Sequence, residues 1–274
     1  MKKILAFTPL IISVIFFYSC MRNIKDINAG DVYLYYNSPA WELAKAVDNQ
    51  DTEKIKRICK EHKDLINTQD PKFGMNLLEF AVFDYRYKSA KALAESGADP
   101  NMQDSDGVSA FIQSASMDTS IYLELLLAHG GDVNARSNKK NGSNSSPLIA
   151  ASSSNFKSVK LLVEAGANIN FATEGSPVYT PVGEAAIMKK LEILKYLIID
   201  KGGNFKMSLG FTSEGDSIHV VDYFRYMVFP LDSKDYKLKM ELVDFMKKHG
   251  VDYRKTPIPD DLYGQYSKEY LDKY

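Results

Sequence analysis

The chain has 274 residues, 45% hydrophobic and 25% charged, with a formal charge of −1. That composition belongs to a folded globular chain with room for one large or two small domains, and excludes a fibrous or low-complexity one. The near-balance of charge excludes a general electrostatic attraction to nucleic acid or to acidic lipid.

The N-terminus reads as an address. Met1-Lys2-Lys3 is basic, and Ile4 to Phe17 is apolar apart from Thr8, Pro9 and Ser13. A positive start, a short apolar core and a small residue before the cut, here Ser19, are the parts of a secretory signal. The apolar run falls short of the roughly 20 residues that a membrane-spanning helix needs. Cys20 directly after Ser19 resembles a bacterial lipobox, with Phe17 standing where Leu is usual. The resemblance implies a signal peptide over residues 1–19 and lipid on the Cys20 thiol and its new amino group. It places the chain in the cell envelope, lipid-anchored to a bacterial membrane, on the periplasmic side of the outer membrane. One acyl chain holds a protein weakly, and the multiple acylation of such lipoproteins would hold it firmly. A plain secreted protein whose signal ends in Cys is the alternative. Cleavage would leave 32 basic against 35 acidic residues. It would also leave Cys59 without an intramolecular disulfide partner. Cys59 shares a helical register with Ile55 and Ile58, as a small buried hydrophobe would.

Residues 20–37 then read as lipidated Cys and tether. Val32-Tyr33-Leu34-Tyr35-Tyr36 is too aromatic for pure linker, so part of this stretch is expected to pack on the first repeat. From Ser38 onward a pattern recurs. Ser38-Pro39 offers an N-cap and a Pro at the first helical position, followed by the stripe Trp41, Leu43, Ala44, Val47, and then by Ile55, Ile58 and Cys59. Gly74 to Asn101 is the clearest unit: a Gly turn, a short apolar helix around Leu77–Phe83, a second around Ser89–Glu95, and the ending Gly97-Ala98-Asp99-Pro100-Asn101. The ending returns at Gly130, Gly166, Gly202 and Gly250, at intervals of 33, 36, 36 and 48 residues. Ser109-Ala110-Phe111, Ser146-Pro147-Leu148 and Thr180-Pro181-Val182 open the later units, each with an Ala- or Leu-rich stripe behind it. Arg136 to Ser146 carries no apolar residue and reads as an exposed loop; Thr173–Val178 and Lys206–Asp222 are further insertions.

A period near 33 built from a turn and two helices resembles the ankyrin repeat. The resemblance covers Ser38 to Arg254 and implies an all-α solenoid of about six helix-turn-helix repeats with capping ends, residues 255–274 forming the C-terminal cap. The family's Thr-Pro-Leu-His opening is worn: Glu79, Ile112, Ile149 and Gly183 stand at its His. That His normally braces the turns of adjacent repeats, so the array is expected to be less rigid than a consensus one.

Chemistry is absent from the pattern. Of the four histidines, His129 and His249 precede repeat-closing glycines, His62 has an equivalent place and His219 is alone. No pair has metal-ligand spacing, and there is no nucleophile elbow, phosphate loop or dinucleotide fingerprint. Asp99, Asp132 and Asp252 belong to the repeat turn. The expectation is no enzyme, no cofactor, no metal, no nucleic acid and no small-molecule substrate. The ankyrin resemblance implies a non-enzymatic protein-interaction module, a scaffold or adaptor, with a protein partner on the concave face. A toxin-inhibiting immunity protein or an accessory to an envelope enzyme are the alternatives. The positions matching the family's variable surface are Lys72, Phe73, Met75, Phe83 and Asp84; Ser105, Asp106, Val108, Ser116 and Met117; Ser153 and Ser154; Ile187 and Met188. Phe73, Met75, Phe83, Met117 and Met188 are apolar, as the core of an interface tends to be. Cover by the insertions or the C-terminal segment is the structural alternative for them.

Overall fold

The computed structural model describes residues 26–137 and 145–274. The signal peptide, Cys20, the first part of the tether and the middle of the Arg136–Ser146 insertion lie outside the described residues. Six helix pairs follow one another: α1 (Trp41–Asp48) with α2 (Thr52–Glu61), α3 (Leu77–Phe83) with α4 (Tyr87–Glu95), α5 (Ala110–Ser116) with α6 (Ile121–Ala128). Then come α7 (Pro147–Ser152) with α8 (Phe156–Glu164), α9 (Pro181–Ile187) with α10 (Leu191–Lys195), and α11 (Val220–Arg225) with α12 (Lys234–Lys248). The first helices pack on one another in one layer, and the second helices form the other. The core runs between the layers as one continuous apolar cluster, so each repeat is stable only against its neighbours.

The first helices begin where their sequence provides an oxygen to an orphan amide. Asn76 Oδ1 accepts from Glu79 N (2.8 Å), Ser109 Oγ from Ile112 N (3.3 Å), Ser146 Oγ from Ile149 N (3.3 Å) and Thr180 Oγ1 from Gly183 N (2.9 Å). Repeat one departs from expectation. Ser38 does not cap; Trp41 N donates to Ser38 O (3.1 Å), so Ser38–Ala40 is a turn and the helix starts after it.

The repeat endings are tied to each other by asparagines. Asn67 Oδ1 accepts from Asp99 N (2.9 Å), Asn101 Oδ1 from Asp132 N (2.8 Å), Asn134 Oδ1 from Asn168 N (2.9 Å) and Asn170 Oδ1 from Asn204 N (2.8 Å). Within each turn an Asp or Asn accepts from the amide two residues on, as Asp99 does from Asn101 N (2.8 Å) and Asp252 from Arg254 N (3.1 Å). This ladder supplies turn-to-turn bracing that the worn opening motif lacks. His129 and His249 are braces too: each Nδ1 lies 2.8 Å from the carbonyl oxygen four residues back, of Leu125 and Phe245. Between second helices run exposed ion pairs, among them Lys56–Glu95 (2.8 Å), Lys157–Glu124 (2.7 Å) and Lys195–Glu241 (2.7 Å), which solvent screens.

Core volumes are matched in pairs across each repeat. Phe111 is fully buried in the place that Leu78, Leu148 and Val182 fill elsewhere. Opposite it Gly131 replaces the Ala98 and Ala167 of other repeats, and a Cβ there would stand 2.2 Å from the Phe111 ring. Gly131→Ala is therefore expected to cost about 2–3 kcal/mol by overpacking, and adding Phe111→Leu should recover most of it. Urea denaturation of the two variants checks this; a Gly131→Ala protein as stable as the parent contradicts it.

The Lys206–Asp222 insertion is ordered. Strand β1 (Ser208–Phe211) pairs antiparallel with β2 (Ser217–His219), a small strand pair carried by the expected helix-turn-helix solenoid. Val178 N donates to Leu209 O (2.8 Å), fastening the Thr173–Val178 insertion to β1. Leu209 lies over Gly183, where a Cβ would meet its methyl at 2.9 Å. The missing His at that position is thus the space that Leu209 fills.

Two ends close the array. At the C-terminal end α13 (Asp260–Tyr263) and α14 (Lys268–Lys273) lay Leu262, Leu271 and Tyr274 onto the sixth repeat. Arg225 Nε donates to Thr256 O (3.0 Å) and its NH2 to Tyr253 O (3.0 Å). Lys239 is fully buried, donating to Tyr253 Oη (2.9 Å) and Met227 O (3.3 Å), with Nζ 3.3 Å from the centre of the Tyr274 ring. At the other end residues 26–37 are not a simple tether. Leu34 and Tyr35 are fully buried and Ile27 is buried, and the segment reaches past repeat one to lie on repeat two.

Candidate functional site

The concave face is made of the hairpin tips and the exposed sides of the first helices, and the N-terminal segment divides it. Over repeat two that segment is seated. Lys72 Nζ donates to Ile27 O (2.6 Å), Tyr35 Oη donates to Met75 O (2.7 Å), and the Tyr35 ring meets the Phe80 ring edge-on at 6.0 Å. Gly30 lies against Phe83, close enough that a Cβ would come within 3.0 Å of its ring.

The repeat-two residues expected to bind a partner are placed accordingly. Lys72 holds the chain's own backbone and stacks on Phe73 (4.9 Å), whose carbonyl accepts from Ser105 N (2.8 Å). Phe83 is half-exposed at one edge, and Asp84 pairs with Arg86 (2.6 Å). Met75 is only 5% exposed, beneath Tyr35, and Met117 only 4%, in the core, so both expectations of a surface role are corrected. Met117 differs from Asp84 and Met188 because the backbone leaves the helix there in an extended conformation (φ −72°, ψ 154°), whereas theirs stays near-helical. Among the described residues it is the chain's own N-terminal segment that covers repeat two.

Among the described residues the face is open from repeat three onward. Ser105, Asp106 and Ser116 are exposed, Val108, Ser153, Ser154 and Ile187 half-buried, and Met188 exposed. The structure adds residues that the sequence did not single out: Tyr226, exposed at the position of Phe83 and Ser116, and a cleft of about 270 Å³ between repeats four and five. The cleft is lined by Ser145, Ile149, Ala150, Thr173, Tyr179 and Glu184. Burial pushes the Glu184 carboxyl above its ordinary range, and Tyr223 is near enough to Tyr179 and Glu184 to feel both. Their offsets from the helix caps, one before Thr180 and four after, were the available signal. A second hollow of about 330 Å³ sits at the loops joining first to second helices, between Phe156, Lys190, Leu191 and Phe229.

Beneath the covered end lies a buried acidic group. Asp70 accepts from Lys72 N, Phe73 N and Met75 N, all at 2.8 Å, and shapes the second hairpin. Glu79, 2% exposed, hydrogen-bonds Asp104 and is pushed up to about 9, by burial first and then by the Asp104 and Asp70 charges. It is protonated at neutral pH and donates to Asp104, which accepts from Asp106 N (2.9 Å) and Val108 N (2.8 Å). Glu79 therefore does part of the work of the family's His, which passes a hydrogen bond to the next hairpin. Cys59 is a buried free thiol whose pKa burial raises. Among the described residues no group of His, Cys, Asp or Glu is placed to hold a metal, and no helix is long and apolar enough to cross a membrane.

Residues 78–173 match the family described as ankyrin repeats (3 copies). Over 109 residues the chain is 36% identical to Protein PhlB of Serratia liquefaciens; the match takes in 40% of this chain and 45% of that protein, so it spans less than half of the curated relative's length. The ankyrin repeat protein EF0377 superposes with a TM-score of 0.56 at 25% identity, over 74% of this chain and 96% of that one. An ankyrin repeat domain from Acinetobacter baumannii AYE gives 0.58 at 25%, over 73% and 94%. The ankyrin domain of Bcl-3, of the IkappaB protein family, gives 0.58 at 20%, over 77% and 86%, a likeness of fold alone. The fold is an ankyrin repeat fold, and such repeats are generally protein–protein interaction modules.

Proposed function

We propose that the chain is a non-enzymatic binding module, a scaffold or adaptor held in the bacterial envelope by lipid on Cys20. Its protein partner lies on the concave face of repeats three to five. The observation that supports this most is the floor of that face. Between Ile112 and Ser116 on α5, and between Ile149 and Ser153 on α7, the first helices carry no charge. The tips above them carry the polar Ser105 and Asp106. An uncharged floor under a polar rim is the usual make-up of a recognition surface. Repeat two is already occupied by the chain itself.

The anchor sets a geometry. Six residue steps separate Cys20 from Asp26. At the full reach of an extended chain they span about 20 Å, so a lipidated Cys20 keeps the covered end of the face close to the bilayer. A Cys20→Ala chain should move from the membrane pellet to the soluble fraction in its bacterial host; equal recovery of both chains in the pellet contradicts the lipid anchor.

The binding face is tested by capture from envelope extract with the parent and with Ser116→Arg/Ser153→Arg. Both serines bond only within their own helix or its end, to Gln113 O (2.8 Å) and Ala150 O (2.7 Å), so the thermal midpoint should hold. One dominant partner, recovered at least tenfold less by the variant, is expected. A partner kept in full by a folded variant contradicts the concave-face reading. The partner's identity then separates scaffold from toxin inhibitor or enzyme accessory.

A further inference from the structure

We infer that the cleft between repeats four and five receives a lysine or arginine side chain of the protein partner, with Glu184 as its counter-charge and Tyr179 and Tyr223 beside it. The inference rests on the concave-face reading and narrows it to a chemistry.

Three observations meet here. The first is the cleft itself, about 270 Å³ and apolar on one side through Ile149 and Ala150. That is room for an aliphatic stem ending in a charged head, which long basic side chains bury in this way. The second is the state of Glu184. Its carboxylate accepts no hydrogen bond and joins no ion pair among the described residues, although burial already disfavours its charge. A half-buried carboxylate without a partner is a cost in the free protein that an incoming cation removes. The third is the sign of the surroundings. The charged residues on the concave side of repeats three to six include Asp104, Asp106, Glu184 and Asp222, while Arg225 of α11 is turned to the C-terminal cap. Tyrosine rings beside a carboxylate add the attraction of a π-face for a cation. The basic residues at the tips are engaged locally: Lys72 donates to Ile27 O, Arg136 lies 5.0 Å from the centre of the Phe171 ring and Lys206 6.0 Å from that of Phe205.

A random 12-residue peptide library displayed on phage, panned against the purified full chain, tests this. The peptides that enrich should share a Lys or Arg next to an apolar residue. The synthetic consensus peptide should bind Glu184→Gln at least tenfold more weakly, and should lose as much when its lysine is acetylated. Glu184→Lys should reverse the selection toward Asp and Glu. Glu184→Gln removes no partner among the described residues, so its thermal midpoint should match the parent's. Peptides without a basic residue, or bound equally by Glu184→Gln, overturn the inference, as does a library that yields no binder. If such peptides are still lost in Ser116→Arg/Ser153→Arg, only the basic anchor fails; if they are kept there too, the concave-face reading fails with it. The chain's own Lys139 and Lys140 are the rival occupant. Tenfold tighter peptide binding by Lys139→Ala/Lys140→Ala would overturn the assignment of the cleft to a partner.

Discussion

Glu79→Gln is expected to stabilise the array by about 3 kcal/mol at pH 7, with a gain that grows as pH rises. Glu79 is raised from 4.5 to about 9 in the fold, by burial first. Between those two values the folded chain holds a proton that the unfolded chain has released. Stability is complete below 4.5 and is lost at about 1.4 kcal/mol per pH unit as pH climbs toward 9. Gln keeps a donor for Asp104 and has no proton to lose, so its advantage is near zero at pH 4.5 and largest at pH 9. Denaturation of both chains in buffered urea at pH 5, 7 and 9 checks this. A difference that does not change with pH contradicts a protonated Glu79.

Lys239→Met should show the opposite slope. Lys239 is lowered from 10.5 to about 6, by burial first and then by Arg225 and Arg254. The unfolded chain binds the proton that the folded chain excludes, so stability is present above 10.5 and is lost as pH falls toward 6. Met removes that loss but leaves the Tyr253 hydroxyl and the Met227 carbonyl without their donor, which costs on the order of 1–3 kcal/mol. The net gain at pH 7 is about 2–4 kcal/mol, and it shrinks as pH rises through 9. A gain that grows with pH would show that Lys239 folds in its charged form. The two buried groups oppose each other between pH 6 and pH 9, and so flatten the parent's own curve there.

The same two residues show where reading the sequence reaches its limit. A Lys on a helix with charged neighbours reads as solvated. Nothing local says that Tyr253 and Tyr274, far along the chain, close over it. Glu79 was legible as the occupant of the family's His position, but not as a protonated donor, because that depends on Asp104 one repeat away. The repeats themselves were legible because their spacing is imposed by helix length and turn geometry. Even the Asp-x-Asn endings could be seen, though their use as rungs from one repeat to the next needs the stacking register.

The concave face was read only in part. Its positions follow from offsets to Asn76, Ser109, Ser146 and Thr180, which cap the first helices of repeats two to five. Which of those positions are open is a long-range matter. Met75 is closed by Tyr35, some 40 residues earlier, whose hydroxyl takes the Met75 carbonyl. The aromatic run Val32–Tyr36 signalled packing, but not that it would seat on repeat two. Glu184 and Tyr179 gained their meaning only when two hairpins and two helices enclosed a common space.

The most direct measurement is hydrogen–deuterium exchange of the chain with and without its captured partner. Protection confined to the peptides covering 105–116, 145–153 and 179–187 is the outcome expected of a partner lying along repeats three to five. Protection centred on the second helices α4, α6 and α8, with those peptides unchanged, would contradict it.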